Sequence, residues 1–135
     1  MPQMIFVNLP VKDLAKSMAF FEALGFSFNP QFSDETGACM VISDTIFAML
    51  LTHAKFAGFS PKPIADTDKT TEMLIALSRD DREAVDAIVE AALAAGGSTF
   101  SEPQEHGFMY GRAFRDLDGH VWEAFWMDPA AAKAE

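Results

Sequence analysis

The sequence predicts an α+β protein built from two βαβββ modules whose strands form a curved mixed sheet around a cleft. Three observations carry this reading. Two short apolar runs, too brief for helices, each precede a segment with helical periodicity; three further strand-like runs follow each helical segment; and the second half repeats the first.

Met4 to Leu9 (MIFVNL) is the first apolar run, ending at Pro10, and it has the length of a buried strand. Asp13 is placed to cap the next segment, where Leu14, Met18 and Phe21 lie at helical spacing and Gly25 stands where a left-handed C-terminal cap belongs. Phe26, Phe28 and Phe32 then alternate with polar residues, and the runs Ala38 to Ile42 and Ile46 to Leu51 are separated by the turn residues Ser43-Asp44-Thr45. The five phenylalanines Phe20, Phe21, Phe26, Phe28 and Phe32 are expected in the core.

The second half starts again at Met73 to Leu77 (MLIAL). Ser78 with Asp81 resembles a capping box before Val85, Ile88, Val89, Ala92 and Leu93, a helical stripe that Gly96-Gly97 stops. Ser98 to Glu102, Phe108 to Phe114 and Val121 to Trp126 are the remaining strands, the last two joined by the hairpin turn Asp116-Leu117-Asp118-Gly119. Leu9 matches Leu77 and Asp13 matches Asp81 at an offset of 68, and Ile46 matches Val121 at an offset of 75. The organisation is therefore residues 1–53 as the first module, 54–70 as a connecting loop, 71–129 as the second module and 130–135 as a tail of frayed helix or disorder.

Composition narrows the function classes. A chain of 135 residues, half of them apolar and 13 of them Phe, buries about two thirds of its unfolded surface as one small domain. A net charge of −10 without a basic stripe argues against nucleic acid or an anionic membrane as partner. The single Cys39 forms no internal disulfide, and Met1 to Leu24 carries neither a leader pattern nor a long apolar span, which fits a reducing cytoplasm.

The segments VNLPVKDLAKSMAFFEALGF and RAFRDLDGHVWEAFWMDP, opening the first module and closing the second, resemble the vicinal oxygen chelate superfamily. That group contains glyoxalase I, extradiol dioxygenases, and fosfomycin- and bleomycin-resistance proteins. The resemblance runs from Met4 to Pro129. It implies the glyoxalase/bleomycin-resistance/dioxygenase fold and, since one scaffold there hosts isomerases, dioxygenases, thiol transferases and binders, it does not choose a reaction. It also implies a homodimer in which the 54–70 segment, with Phe56 and Phe59 as anchors, crosses between subunits.

In metal-dependent members a divalent ion is held by side chains on the first and last strand of each module. Carried over, the last strand of the second module supplies Glu123, five positions after Asp118, and its first strand supplies Leu74. The first module supplies Phe6 by the offset of 68, and Ala48 by the offset of 75, or Met49 if the register slips by one. Of these only Glu123 can bind a metal, and a divalent ion needs three or more donors. Period two puts Asn8 beside Phe6 and Glu72 beside Leu74, each about 7 Å along its strand. With Glu123 they would form a Glu-Glu-Asn set suited to magnesium or manganese rather than zinc. Because this needs two register shifts at once, the expected cofactor is none, with one divalent metal ion as the alternative.

His120 reads as an exposed turn residue and His53 as a surface residue. In HGFMYGRAF, His106, Phe108, Tyr110, Arg112 and Phe114 share one strand face while Gly107, Met109, Gly111 and Ala113 share the other. If the large-residue face meets the cleft, Tyr110 and Arg112 grip a ligand; otherwise Phe108 and Phe114 fill the core and Arg112 snorkels to solvent. The functional expectation is a bleomycin-resistance-like protein binding a small, flat or cationic molecule through Phe6, Asn8, Leu74, Tyr110 and Arg112. The alternative is a metal-dependent lyase of lactoylglutathione lyase type, or an extradiol dioxygenase, with Glu123 as ligand or general base. A third reading has Glu123 as a buried carboxylate bonded to Tyr110 or Asn8.

Overall fold

The computed structural model describes residues 2–130, so the expected tail lies, beyond Ala130, outside the described residues. The chain divides into two compact units between Asp66 and Thr67, within the segment expected to connect the modules.

The first unit contains β1 (Ile5–Val11), α1 (Leu14–Ala23), β2 (Ser27–Asn29), β3 (Gly37–Val41), β4 (Ile46–Thr52) and the short α2 (His53–Ala57). Its sheet has the order β1-β4-β3-β2, with β1 and β4 parallel and the other pairs antiparallel. β1 continues through Pro10 to Val11 instead of ending there. It is an edge strand, where a residue without an N–H is tolerated. Asp13 caps α1 by accepting from the Lys16 amide at 3.1 Å, and Gly25, at φ 102°, follows the helix end. The alternating Phe26 to Phe32 stretch breaks after Asn29, because Asn29 and Pro30 together start a 3-10 turn, and Phe32 is left 64% exposed rather than in the core. Phe20 and Phe21 of α1 are buried, as are Leu9, Ala38, Met40, Ala48 and Leu50 of the sheet. Phe26 and Phe28 are half-buried.

The second unit repeats the plan with β5 (Leu74–Ser78), α3 (Arg82–Ala94), β6 (Ser98–Thr99), β7 (Gln104–Glu105), β8 (Met109–Arg115) and β9 (Val121–Met127). The order β5-β9-β8-β6, again with its first pair parallel, matches the first sheet strand for strand, and β7 is an additional partner of β8. Of the run expected as one strand from Ser98 to Glu102, only Ser98–Thr99 pairs, as β6, and β7 lies beyond that run at Gln104–Glu105. Asp81 alone caps α3, accepting from the Ala84 amide at 2.7 Å. Val85, Ile88, Val89 and Ala92 on α3 are buried together with Phe114, Trp122 and Ala124 of the sheet. Full burial of each aliphatic side chain stabilises by about 1.5–3 kcal/mol.

Strand pairing corrects the alignment of the two modules. Phe6 pairs with Phe47 and Leu74 with Val121, so if Phe6 corresponds to Leu74, then Phe47 corresponds to Val121 and Met49 to Glu123. The β3–β4 and β8–β9 hairpins agree, since Val41 pairs with Phe47 as Arg115 pairs with Val121. Ala48, at the offset of 75, lies in the core and corresponds to Trp122.

The turn between β8 and β9 is held from inside. The Asp116 carboxylate, only 6% exposed, accepts from the backbone amides of Asp118 (2.9 Å) and His120 (3.0 Å) and from the Trp122 indole N–H (2.9 Å). Burial pushes its pKa up, against the pull of His120 and these donors. His120 is not the exposed turn residue expected: it is 3% exposed, and its Nδ1 lies 2.9 Å from Glu72 Oε1. Thr67 donates its hydroxyl to the Asp118 carbonyl at 2.6 Å, and Arg115 donates to the Thr67 carbonyl at 3.1 Å. No helix among the described residues is long and apolar enough to cross a membrane.

Gly119 closes this turn at φ 81°, and a Cβ there would stand 2.5 Å from Thr67 Oγ1 and 2.7 Å from an Arg115 guanidinium nitrogen. Gly119→Ala is therefore expected to lower stability by about 1–3 kcal/mol, read as a shifted urea midpoint with an unchanged slope.

Candidate functional site

Glu123 sits in the middle of β9 between two alanines, Ala76 on β5 and Ala113 on β8, which pair directly with it. Alternation along β9 sends Trp122 and Ala124 into the core against α3, and therefore sends Glu123 and Phe125 to the opposite face. On β8 the same face carries Met109, Gly111 and Ala113. With no long side chain at Ala76, Gly111 and Ala113, the sheet surface around Glu123 is hollow.

The hollow is a pocket of about 170 Å³. Ala76, Met109, Ala113 and Phe125 make its apolar part, and Glu123, Glu102, Gln104 and Ser101 its polar part. Glu102, Gln104 and Ser101 come from the segment between β6 and β8, which stands beside the sheet face. Glu123 makes no side-chain hydrogen bond or ion pair among the described residues. It is thus not the carboxylate bonded to Tyr110 or Asn8 that the third reading described.

Tyr110 and Arg112 lie on the other face of β8, against α3. The Tyr110 hydroxyl donates to Asp86 at 2.6 Å, and Arg112 donates to Asp86 at 2.9 Å and to Glu90 at 3.2 Å. Arg112 also lines the pocket, but its guanidinium is committed to these two carboxylates. The large-residue face is the helix-facing one because Phe114 on it fills the core beside Trp122. Phe108, expected to fill core as well, is exposed. The Tyr110 hydrogen bond, then Arg112, lower the Asp86 pKa, and the same Asp86 bond raises that of Tyr110. Burial works against the Arg112 charge, yet Asp86 and Glu90 outweigh it and raise its pKa.

The other expected site residues are dispersed. Leu74 shares the Glu123 face and is 56% exposed. Glu72 precedes β5, and its Oε1 lies 2.9 Å from His120 Nδ1. Phe6 and Asn8 belong to the first unit, both exposed on one face of β1, with Phe6 stacked on Phe47 at 4.8 Å. His53 is exposed at the start of α2.

A divalent ion does not fit this donor set. Among the described residues no three His, Cys, Asp or Glu side chains stand together to hold one, and the strand neighbours of Glu123 are alanines.

Sequence reasoning missed Ser101, Glu102 and Gln104, which carry no local motif. It did identify Met109, Gly111 and Ala113 as one face. Asp86 and Glu90, one helical turn apart on α3, were the available signal that Arg112 and Tyr110 face the helix.

Arg112→Met removes the ion pairs with Asp86, which keeps its bond from Tyr110, and with the exposed Glu90, and is expected to lower stability by about 0.5–1 kcal/mol at pH 7. Asp86 has a depressed folded pKa, so its contribution is present above the ordinary aspartate range and is lost as pH falls through the folded value. The stability gap between wild type and Arg112→Met, measured by urea denaturation across pH 7 to 3, should shrink toward the acid end.

Residues 3–43 match a family described as bleomycin resistance protein-like N-terminal. Among solved structures, a hypothetical protein from S. aureus is 33% identical, with a TM-score of 0.78 over 93% of this chain and 95% of that one. A glyoxalase/bleomycin resistance protein/dioxygenase family enzyme from Burkholderia phytofirmans PsJN is 20% identical, with a TM-score of 0.76 over 93% and 99%. The fosfomycin resistance protein FosX from Listeria monocytogenes is 22% identical, with a TM-score of 0.66 over 93% and 91%. No curated protein matches. The repeated βαβββ unit and these structures agree on the fold, and the N-terminal match agrees with it: the chain has the glyoxalase/bleomycin-resistance/dioxygenase fold, and its residues 3–43 match the bleomycin resistance protein-like N-terminal family.

Proposed function

We propose that this protein binds a compact organic cation in the pocket of its second unit, with Glu123 as the counter-charge. One observation carries the reading. Two carboxylates, Glu102 and Glu123, line a mostly apolar hollow in which the only basic residue, Arg112, has its guanidinium bound to Asp86 and Glu90. A carboxylate beside apolar walls favours a ligand that brings positive charge on an apolar body. The volume, small against the roughly 300–1,000 Å³ of drug-sized sites, favours a compact molecule. Phe125 and Met109 supply contacts suited to an alkylammonium or aromatic amine, Phe125 through its ring face.

Binding rather than metal-assisted lysis or dioxygenation is the favoured function because, among the described residues, no three His, Cys, Asp or Glu side chains stand together around Glu123 to hold an ion. In this role Glu123 anchors the ligand and is not a general base.

Benzyltrimethylammonium serves as the probe, with benzyl alcohol and benzoate as neutral and anionic controls. Calorimetry should find binding of the cation, weaker binding of the alcohol and none of benzoate. Glu123→Gln should weaken the cation at least tenfold, and Ala76→Leu, which fills the hollow from an exposed position, should abolish binding with little loss of stability. Equal binding of the three probes, or a stoichiometric manganese or zinc shift in melting temperature lost in Glu123→Gln, would sink the reading.

A further inference from the structure

The pocket wall that carries Ser101, Glu102 and Gln104 is attached to the sheet in an unusual way. Thr99 pairs with Phe114 and Gln104 with Gly111, so four residues, Phe100 to Pro103, span a gap that two residues cover on β8. The surplus arches off the sheet. Beneath it lies a second cavity of about 380 Å³, lined by Thr99, Phe100 and Pro103 and sharing Ser101, Glu102, Arg112 and Ala113 with the Glu123 pocket. Every residue from Ser98 to Phe108 is exposed.

At its far end the segment is fastened to α3 by one side chain. Arg82, in the first turn of α3, makes a forked ion pair with Glu105, one arm at 2.8 Å, and donates to the Gly107 carbonyl at 3.0 Å. Glu105 also accepts from the Gly107 amide at 2.9 Å, where the chain turns with φ 76°. The Arg82 guanidinium lies over the rings of Tyr110 (5.3 Å) and Trp126 (5.1 Å), which fixes its plane. The Arg82 hydrogen bonds hold the Glu105 carboxyl down at about 2, so the pair is charged at neutral pH. β7 itself contributes only two residues of pairing.

We propose that residues 100–107 form a strap over the Glu123 pocket and that Arg82 is the latch that holds it, a positioning residue for Glu102 and Gln104. The location of the binding pocket rests on the functional reading above; the latch does not. With the latch made, Glu102 faces the pocket and closes it. With the latch released, the two short strands are too brief to hold the arch, and the strap lifts from the sheet while the α3 core stays packed.

Hydrogen–deuterium exchange of the ligand-free protein tests the latch independently of any ligand. Arg82→Gln should speed exchange in residues 100–107 at least fivefold, with amides of α3 and β9 unchanged. Arg82→Lys should restore only part, since an ammonium cannot make the fork. Glu105→Gln, changed on an exposed residue, should loosen the same segment, and it decides the matter if Arg82→Gln does not fold. Unchanged exchange in 100–107, or an increase spread over α3, β8 and β9, overturns the latch. Stopped-flow mixing with benzyltrimethylammonium then separates the two ideas: a released strap in a protein that ignores the probe refutes the pocket reading and leaves the latch standing.

Discussion

The buried carboxylate of Asp116 is the constraint on which the second unit depends. Removed from water, it would cost about 1–3 kcal/mol for each unmet hydrogen bond, and it is met by three donors: two amides that close the turn and the indole of Trp122. The indole is the important one, because it fixes which way Trp122 points. Once Trp122 faces α3, strand alternation leaves Glu123 no choice but the open face. The placement of the one carboxylate in the centre of the sheet follows from a hydrogen bond on the opposite side of it. His120, held by Glu72, and Thr67, held on the Asp118 carbonyl, seal the same turn from outside.

The first unit shows what the fold does without this device. Position for position, its hairpin puts Ile42 where Asp116 stands, Ile46 where His120 stands and Ala48 where Trp122 stands. There the turn Ser43-Asp44-Thr45 closes without a buried carboxylate, the Ile42 and Ser43 amides donating to the Ile46 carbonyl, and the strand that follows it carries Met49 in place of Glu123. Both modules therefore reach the same sheet order by different local chemistry, and only the second has a charged group at the centre of its open face.

This asymmetry also explains what could be read from the sequence. Caps at Asp13 and Asp81, the turn at Asp118-Gly119, and the class and order of the elements were legible because each is set by a few neighbouring residues. The face presented by β8 was not, because alternation defines two faces and only the acidic pair Asp86 and Glu90 on α3 decides between them. His120 misled for a similar reason: its partner, Glu72, is distant in sequence. The pocket wall was missed altogether, since Ser101, Glu102 and Gln104 belong to an arch that arises from a mismatch of two residues between paired strands, and no residue type announces it.

Charge ties these features together. In the second unit, Arg82, Arg112 and Arg115 are all engaged by carboxylates: Glu105 on β7, Asp86 and Glu90 on α3, and Asp68 in the segment before β5. Each pairing joins two elements: Arg82 joins α3 to β7, Arg112 joins β8 to α3, and Arg115 joins β8 to the segment before β5. The chain carries a net charge of −10, and the pocket on the open face is lined by Glu102 and Glu123 and by one basic residue, Arg112, whose guanidinium is held by Asp86 and Glu90. An anion entering the pocket would meet two like charges, whereas a cation would gain from both and from the low-dielectric walls of Ala76, Ala113 and Phe125. In the proposed cation-binding role, selection by charge would need no dedicated recognition residue beyond Glu123 and the proposed strap that carries Glu102, because Arg112 is already committed to α3.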